Sequence, residues 1–193
     1  MSVGTRITVE QYQAMEARGE LEPRVELIRG EIVPRFADDP RMPMNPPHAN
    51  TIIKLTAWSF EFTSRDLVEV AIQCSVGMPA YDSQPDPDVA WLINRDYSER
   101  LPTPEDVLLL IEVSDTSIYK DRGPKSELYA EAGIPDYWIA DIPGRRIEVR
   151  RDPVGLEYRS ITFYTPGQDV RPLAFPEIVL PVSRIFPDVA EGR

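Results

Sequence analysis

The hydrophobic rhythm of the chain changes several times, and each change marks an element. Thr8 followed by Gln11 has the form of a capping box and opens a helix running to about Arg18. Arg24-Val-Glu-Leu-Ile-Arg-Gly-Glu-Ile-Val33 alternates around Arg29-Gly30 and predicts a hairpin. Five prolines within 34–47 exclude lasting regular structure and predict a loop. From His48 to about Ser64 the apolar positions Ile52, Leu55, Trp58 or Ser59, and Phe62 recur at helical spacing, with Pro47 at or just before the first turn. A β-branched, alternating run predicts a strand over 67–76, and buried strands follow at 86–93 and 107–113. Residues 94–106, with Pro102 and Pro104, connect the last two. A helix over 121–132 is stopped by Gly133 and Pro135, and 136–141 is the next strand. Two alternating strands, 146–151 and 157–164, precede a proline-rich arm that ends in a short turn or helix.

The core order is therefore helix, strand, strand, strand, helix, strand. Strands 67–76 and 86–93 suit a hairpin. The helix between 107–113 and 136–141 is a crossover, which makes those two strands parallel. The expected fold class is α/β with a mixed sheet. A length of 193 residues, 42% hydrophobic, suits one domain with a sizeable core. No apolar run approaches the ~20 residues of a membrane span, no secretory-type segment opens the chain, and Cys74 is the single cysteine. These features predict a soluble, cytoplasmic protein with no membrane association and no intramolecular disulfide. The formal net charge of −11 repels polyanions at long range. A nucleic-acid partner would have to be met through a local basic patch, metal ions or another protein.

Three carboxylates lie in or beside apolar strands: Glu26, Asp88 and Glu112. An ionised carboxylate in a dry site must pair, bind metal or shift its pKa. Asp88 stands at the start of one core strand and Glu112 near the end of the next, so antiparallel pairing would bring them together at one sheet edge. Two such carboxylates are what a Mg²⁺ site usually takes from protein, and a nearby lysine could orient a water and offset charge on a phosphorane-like transition state. Lys125 falls in the first turns of its helix, where the dipole disfavours a cation. Asp121, Lys125 and Tyr129 share a helical face at four-residue spacing. The plainer readings are a solvated Asp–Lys pair and a turn aspartate. His48, the only histidine, is either a phosphate contact, metal ligand or base, or an exposed residue opening its helix. Glu26 is either a supporting carboxylate or a surface member of the hairpin. Cys74 reads as buried and inert, and Tyr137 and Trp138 as core or interface aromatics. No glycine-rich phosphate loop, nucleophile elbow or zinc signature is present.

The segments RVELIRGEIV, the His48 helix, PDPDVAWL, LLLIEVSDTS, DRGPKSELY and EAGIPDYWIAD, in this order, resemble the Uma2 (DUF820) family of restriction-endonuclease-like proteins in the PD-(D/E)XK superfamily. The resemblance runs from ITVEQY to about residue 187. It implies a single restriction-endonuclease-like domain over 1–193, with an N-terminal helix, hairpin and loop (1–47), a catalytic core (48–142) and C-terminal strands and arm (143–193). It also implies hydrolysis of DNA phosphodiester bonds that depends on Mg²⁺, with Mn²⁺ as the alternative ion, by a protein that forms homodimers or higher homo-oligomers. On this reading Pro87-Asp88 is the PD motif and Glu112 the (D/E) position, the two holding the metal. The ordinary lysine position is Ser114 here, and Lys125 matches the lysine that the family places on the following helix. Glu26 and His48 match recurrent polar positions, with Asp121 and Tyr129 beside Lys125 in support. Where the family reads Ser-Pro-Ser-Thr, this chain has Ser114-Asp115-Thr116-Ser117, which loosens the turn and adds a negative charge near the site.

Overall fold

In the computed structural model, which describes residues 6–35 and 45–187, the elements begin where local chemistry requires. Helix α1 (Val9–Ala17) starts at a reciprocal cap: the Thr8 hydroxyl accepts from Gln11 N at 3.3 Å, and Gln11 Oε1 accepts from Thr8 N at 2.9 Å. Strands β1 (Val25–Ile28) and β2 (Glu31–Pro34) pair antiparallel through a turn in which Arg29 and Gly30 both have positive φ. Gly30 is required twice over, by its φ of 79° and because a Cβ there would lie 2.8 Å from Arg6 Cβ. Of the loop expected over 34–47, residues 36–44 lie outside the described residues. Helix α2 (Pro46–Phe62) is capped by Asn45, whose Oδ1 accepts from His48 N at 2.9 Å, and its two prolines occupy the first turn, where no N–H is missed.

Strands β3 (Val68–Ile72), β4 (Val89–Ile93), β5 (Val107–Ser114), β6 (Asp136–Asp141), β7 (Arg146–Val154) and β8 (Glu157–Tyr164) form one six-stranded sheet in that order. Only the β5–β6 pair is parallel, as the crossover requires. The first two strands are shorter than their sequence pattern. Gln73, at a φ of 50°, bends the chain after Ile72, and Pro85 and Pro87 delay the start of β4. The helix expected over 121–132 is instead two, α3 (Ile118–Arg122) and α4 (Pro124–Glu131). Pro124 cannot donate to a continuing helix, so the chain breaks at Gly123 and restarts with the proline at the first position of α4. Asp121 therefore does not share a helix with Lys125 and Tyr129. The terminal arm folds back as a two-stranded ladder, β9 (Asp169–Val170) with β10 (Leu180–Pro181), and the short helix α5 (Val182–Ile185).

Both faces of the sheet are covered. On one, Ile52, Leu55 and Trp58 of α2 pack with Trp91, Ile111, Trp138 and Val149, and α5 closes the edge. Trp58 stacks on Trp91 and Trp138 at centroid distances of 5.0 and 5.9 Å. On the other face, Leu128 and Tyr129 of α4 pack on Leu110, Tyr137, Ile139 and Tyr158. Phe62 departs from the helical pattern and is exposed, lying under the Arg184 guanidinium. Cys74 is half-buried rather than buried, while Tyr137 and Trp138 are core residues. The hairpin docks on residues 82–84 through Leu27 N to Gln84 O, Gln84 N to Leu27 O, Gly30 N to Asp82 O and Arg29 N to Ser83 Oγ, which bring Glu26 beside Asp86. Among the described residues no helix is long and apolar enough to cross a membrane.

Candidate active site

The register of β4 and β5 brings the two motif carboxylates together. Val89 pairs with Ile111, so Asp88 and Glu112, the next residue outward on each strand, are neighbours. Each is only 3% exposed. Asp88 Oδ2 accepts from Val113 N at 2.8 Å and lies 3.3 Å from His48 Nε2, while Gln73 Nε2 donates to Oδ1 at 3.3 Å. His48 Nε2 is also 2.7 Å from Val113 O. A ring nitrogen facing a carbonyl and a carboxylate carries the proton and donates. His48 is thus buried, not the exposed residue that opens a helix. Glu112 Oε1 accepts from Lys125 Nζ at 2.9 Å and from Tyr129 OH at 2.7 Å. Lys125 Nζ also lies 3.0 Å from Glu26 Oε2, which accepts from Asp86 N. Lys125 and Glu26 are 5% and 1% exposed, which rules out the surface readings of both.

Asp121 joins the cluster although the helix break was not foreseen. It is buried, Ser117 Oγ donates to its Oδ2 at 3.2 Å, and Tyr137 OH donates to its backbone carbonyl. Ser114, at the end of β5 beside this cluster, is fully buried. Asp115 points elsewhere: its Oδ2 accepts from Asn45 Nδ2 at 2.6 Å. The Asp115 carboxylate is thus held by Asn45, the cap residue of α2.

Sequence reasoning missed Asp86 and Arg35. Asp86 accepts from Ser75 Oγ, and Arg35 grips it with an ion pair at 3.3 Å and a hydrogen bond to its carbonyl at 3.0 Å. The doubled Pro-Asp of Pro85-Asp86-Pro87-Asp88 was the available signal for Asp86. Arg35 offered none, since its partner lies fifty-one positions away.

Charge in the cluster is unbalanced. Glu26, Asp88, Glu112 and Asp121 surround Lys125 and His48. Burial pushes Glu112 well above the ordinary carboxylate range, with Lys125 pulling against it and Asp121, Asp88 and Glu26 adding to it. Burial likewise raises Asp121 to about 6. Burial alone would raise Asp88, but the His48 hydrogen bond and charge, the Val113 N–H and the Lys125 charge together outweigh it and hold Asp88 below the ordinary value; burial alone would lower His48, but Asp88 and the Val113 carbonyl hold it up. Burial would also lower Lys125, yet Glu112, Glu26 and Asp121 override it and keep the ammonium protonated.

The surplus of buried carboxylate over cation fits a hard divalent ion with oxygen ligands. Arg35, His48, Asp88, Glu112, Asp121 and Lys125 line a cavity of about 10 Å³, room for one water-sized sphere. Among the described residues no three His, Cys, Asp or Glu side chains form a group that could hold a metal ion, so Asp88 and Glu112 are the pair that would have to hold one.

Comparison with known proteins bears on this geometry. The family model Uma2, described as "Putative restriction endonuclease", matches residues 9–183. A crystal structure from Anabaena variabilis ATCC 29413, described as "a putative nuclease belonging to DUF820", superposes with a TM-score of 0.70 at 17% identity and covers 93% of this chain and 97% of its own. At that identity the likeness is one of fold. No curated protein matches the sequence.

Proposed function

The chain belongs to the Uma2 family, and from that premise we propose that it is a Mg²⁺-dependent nuclease, able to use Mn²⁺, that hydrolyses DNA phosphodiester bonds. The observation that carries the proposal is the buried juxtaposition of Asp88 and Glu112 across β4 and β5, with Lys125 Nζ 2.9 Å from Glu112. Asp88 and Glu112 would hold the ion, whose charge polarises a phosphate oxygen and lowers the pKa of water. His48 fixes the Asp88 carboxylate and closes the Val113 carbonyl side of the site. Tyr129 and Lys125 orient Glu112 through its Oε1.

Lys125 is held protonated between two carboxylates, so it acts as a donor and a fixed positive charge rather than as a general base. Its place is to aim a water and to stabilise negative charge developing on phosphorus. Glu26 keeps the ammonium in place from the opposite side. The test is cleavage of plasmid and single-stranded DNA with Mg²⁺ or Mn²⁺, comparing the protein with Asp88→Ala and Lys125→Ala. Loss of at least about a hundredfold in both supports the assignment, and activity unchanged by both overturns it. RNA and branched DNA, run beside these substrates, decide the nucleic-acid class.

The net charge of −11 favours a competing reading, an assembly module that keeps the fold without the chemistry. Calorimetry separates the two: no Mg²⁺ or Mn²⁺ binding at millimolar concentration decides for the module.

A further inference from the structure

Helix α2 has a second face that its own fold does not use. Ile52, Leu55, Trp58 and Ser59 turn toward the sheet, while Asn50, Ile53, Ala57 and Phe60 form an exposed stripe at alternating three- and four-residue spacing. Ile53 is 65% and Phe60 50% exposed, a large apolar display on one helix. This is the spacing of a two-helix seam, with Asn50 and Ala57 at one heptad position and Ile53 and Phe60 at the other.

The flanks of the stripe say what covers it. Lys54 and Glu61 stand seven residues apart on the same flank and carry opposite charges. In an antiparallel pair of identical helices, that flank meets the same flank of the other copy. Lys54 of each copy then faces Glu61 of the other, twice. A parallel pair would set the charged flank against Ala49, Thr56 and Thr63, which offer it no charge. The midpoint between Lys54 and Glu61 falls at Ala57–Trp58, so the smallest side chain of the stripe lies where the two backbones come closest.

Within one chain these groups are also tied to the α5 region: Lys54 Nζ donates to Ile185 O at 2.9 Å, and Arg184 pairs with Glu61. Glu61 thus already has one cation, and its side chain is still 52% exposed.

We propose that the protein self-associates by antiparallel packing of α2 against α2 of a second copy, with Ile53, Ala57 and Phe60 as the apolar seam and Lys54–Glu61 pairs setting the direction. The inference stands on surface geometry and charge, and is independent of the chemistry at the carboxylate cavity.

Sedimentation velocity and light scattering on the full chain, from about 1 to about 100 µM, test it. The expected result is a species of twice the chain mass that Phe60→Glu reduces to the chain mass. Lys54→Glu and Glu61→Lys, each alone, should weaken association by roughly tenfold at low salt, because like charges then face each other. The double variant Lys54→Glu/Glu61→Lys should return to within about threefold of the original affinity. Circular dichroism on every variant confirms that these surface changes leave the fold intact. A wild-type chain that stays at its own mass across the range overturns the proposal. So does a dimer that survives Phe60→Glu, or a double charge swap no better than either single one.

Discussion

Lys125 is a buried ammonium between Glu112 and Glu26, and its removal separates stability from chemistry in a measurable way. Lys125→Met leaves two buried carboxylates without their cation, which should cost ~3–5 kcal/mol in urea denaturation at neutral pH. Adding Glu26→Gln removes one of those charges, and part of the lost stability should return. DNA cleavage should not return, because the positive charge beside Glu112 is still missing. If the double variant regains activity along with stability, Lys125 is structural only. Asp115 gives the opposite expectation. Its carboxylate is bound to Asn45 outside the cavity, so Asp115→Ser should leave the Mg²⁺ dependence of cleavage within about twofold. A Mg²⁺ requirement that falls by tenfold would mean that the Asp115 charge does reach the site. At this scale the sequence was most legible where local pattern was enough. Asp88 and Glu112 could be paired from strand polarity alone. The burial of Glu26 and His48 depended on contacts sixty and more residues away, with Asp86 and Val113, and no local pattern records those.

Between elements, the connection 94–106 is fixed by one carboxylate. Asp106 is buried and accepts from Arg100 at 2.8 and 3.2 Å and from Thr103 N at 2.9 Å, with Arg95 at 3.0 Å. The Arg100 hydrogen bond, working against burial, holds its pKa down to about 2. A depressed carboxylate contributes stability above its unfolded pKa, and that contribution is lost as pH falls through its folded value. Asp106→Asn should therefore cost roughly 2 kcal/mol at pH 7, and the difference from wild type should shrink between about pH 4 and pH 2. Denaturant melts at several pH values check it, and a difference that does not change with pH would assign the effect to packing. The helix break is a related lesson. Gly123-Pro124 was visible in the sequence, yet the four-residue spacing of Asp121, Lys125 and Tyr129 ran across it and suggested one helix. The proline divides it into two, and Arg150 NH1, donating to Ser126 Oγ at 2.7 Å and to Arg122 O at 3.3 Å, anchors the restart of α4 that carries Lys125. Strand β7 reads as alternating, yet its polar Glu148 and Arg150 are buried too, held by Arg122 of α3 and Ser126 of α4. Alternation reports the pleat and not what lies over it.

For the whole molecule, the β3–β4 hairpin and the parallel β5–β6 pair were legible, because a tight turn and one crossover helix leave few topologies, whereas the places of β7 and β8 at the sheet edge come from the structure. Charge remains the property with the clearest consequence at this scale. A chain of net charge −11 approaching a polyanion is repelled over distances beyond any one contact, and the repulsion is screened over about 10 Å at 0.1 M salt. The cations at the site are already committed to carboxylates, Lys125 to Glu112 and Glu26 and Arg35 to Asp86, so they do little to reverse the long-range field. A protein that binds DNA mainly through lysine and arginine loses affinity steeply as salt rises. Here the opposite slope is expected: at fixed Mg²⁺, kcat/KM on DNA should rise by roughly threefold or more between ~10 and ~100 mM NaCl as the repulsion is screened. The gain should lie in KM, because chemistry inside a buried cavity is hardly affected by screening. Cleavage kinetics across that salt range measure it directly. A steep fall instead would locate a basic surface strong enough to outweigh the acidic whole.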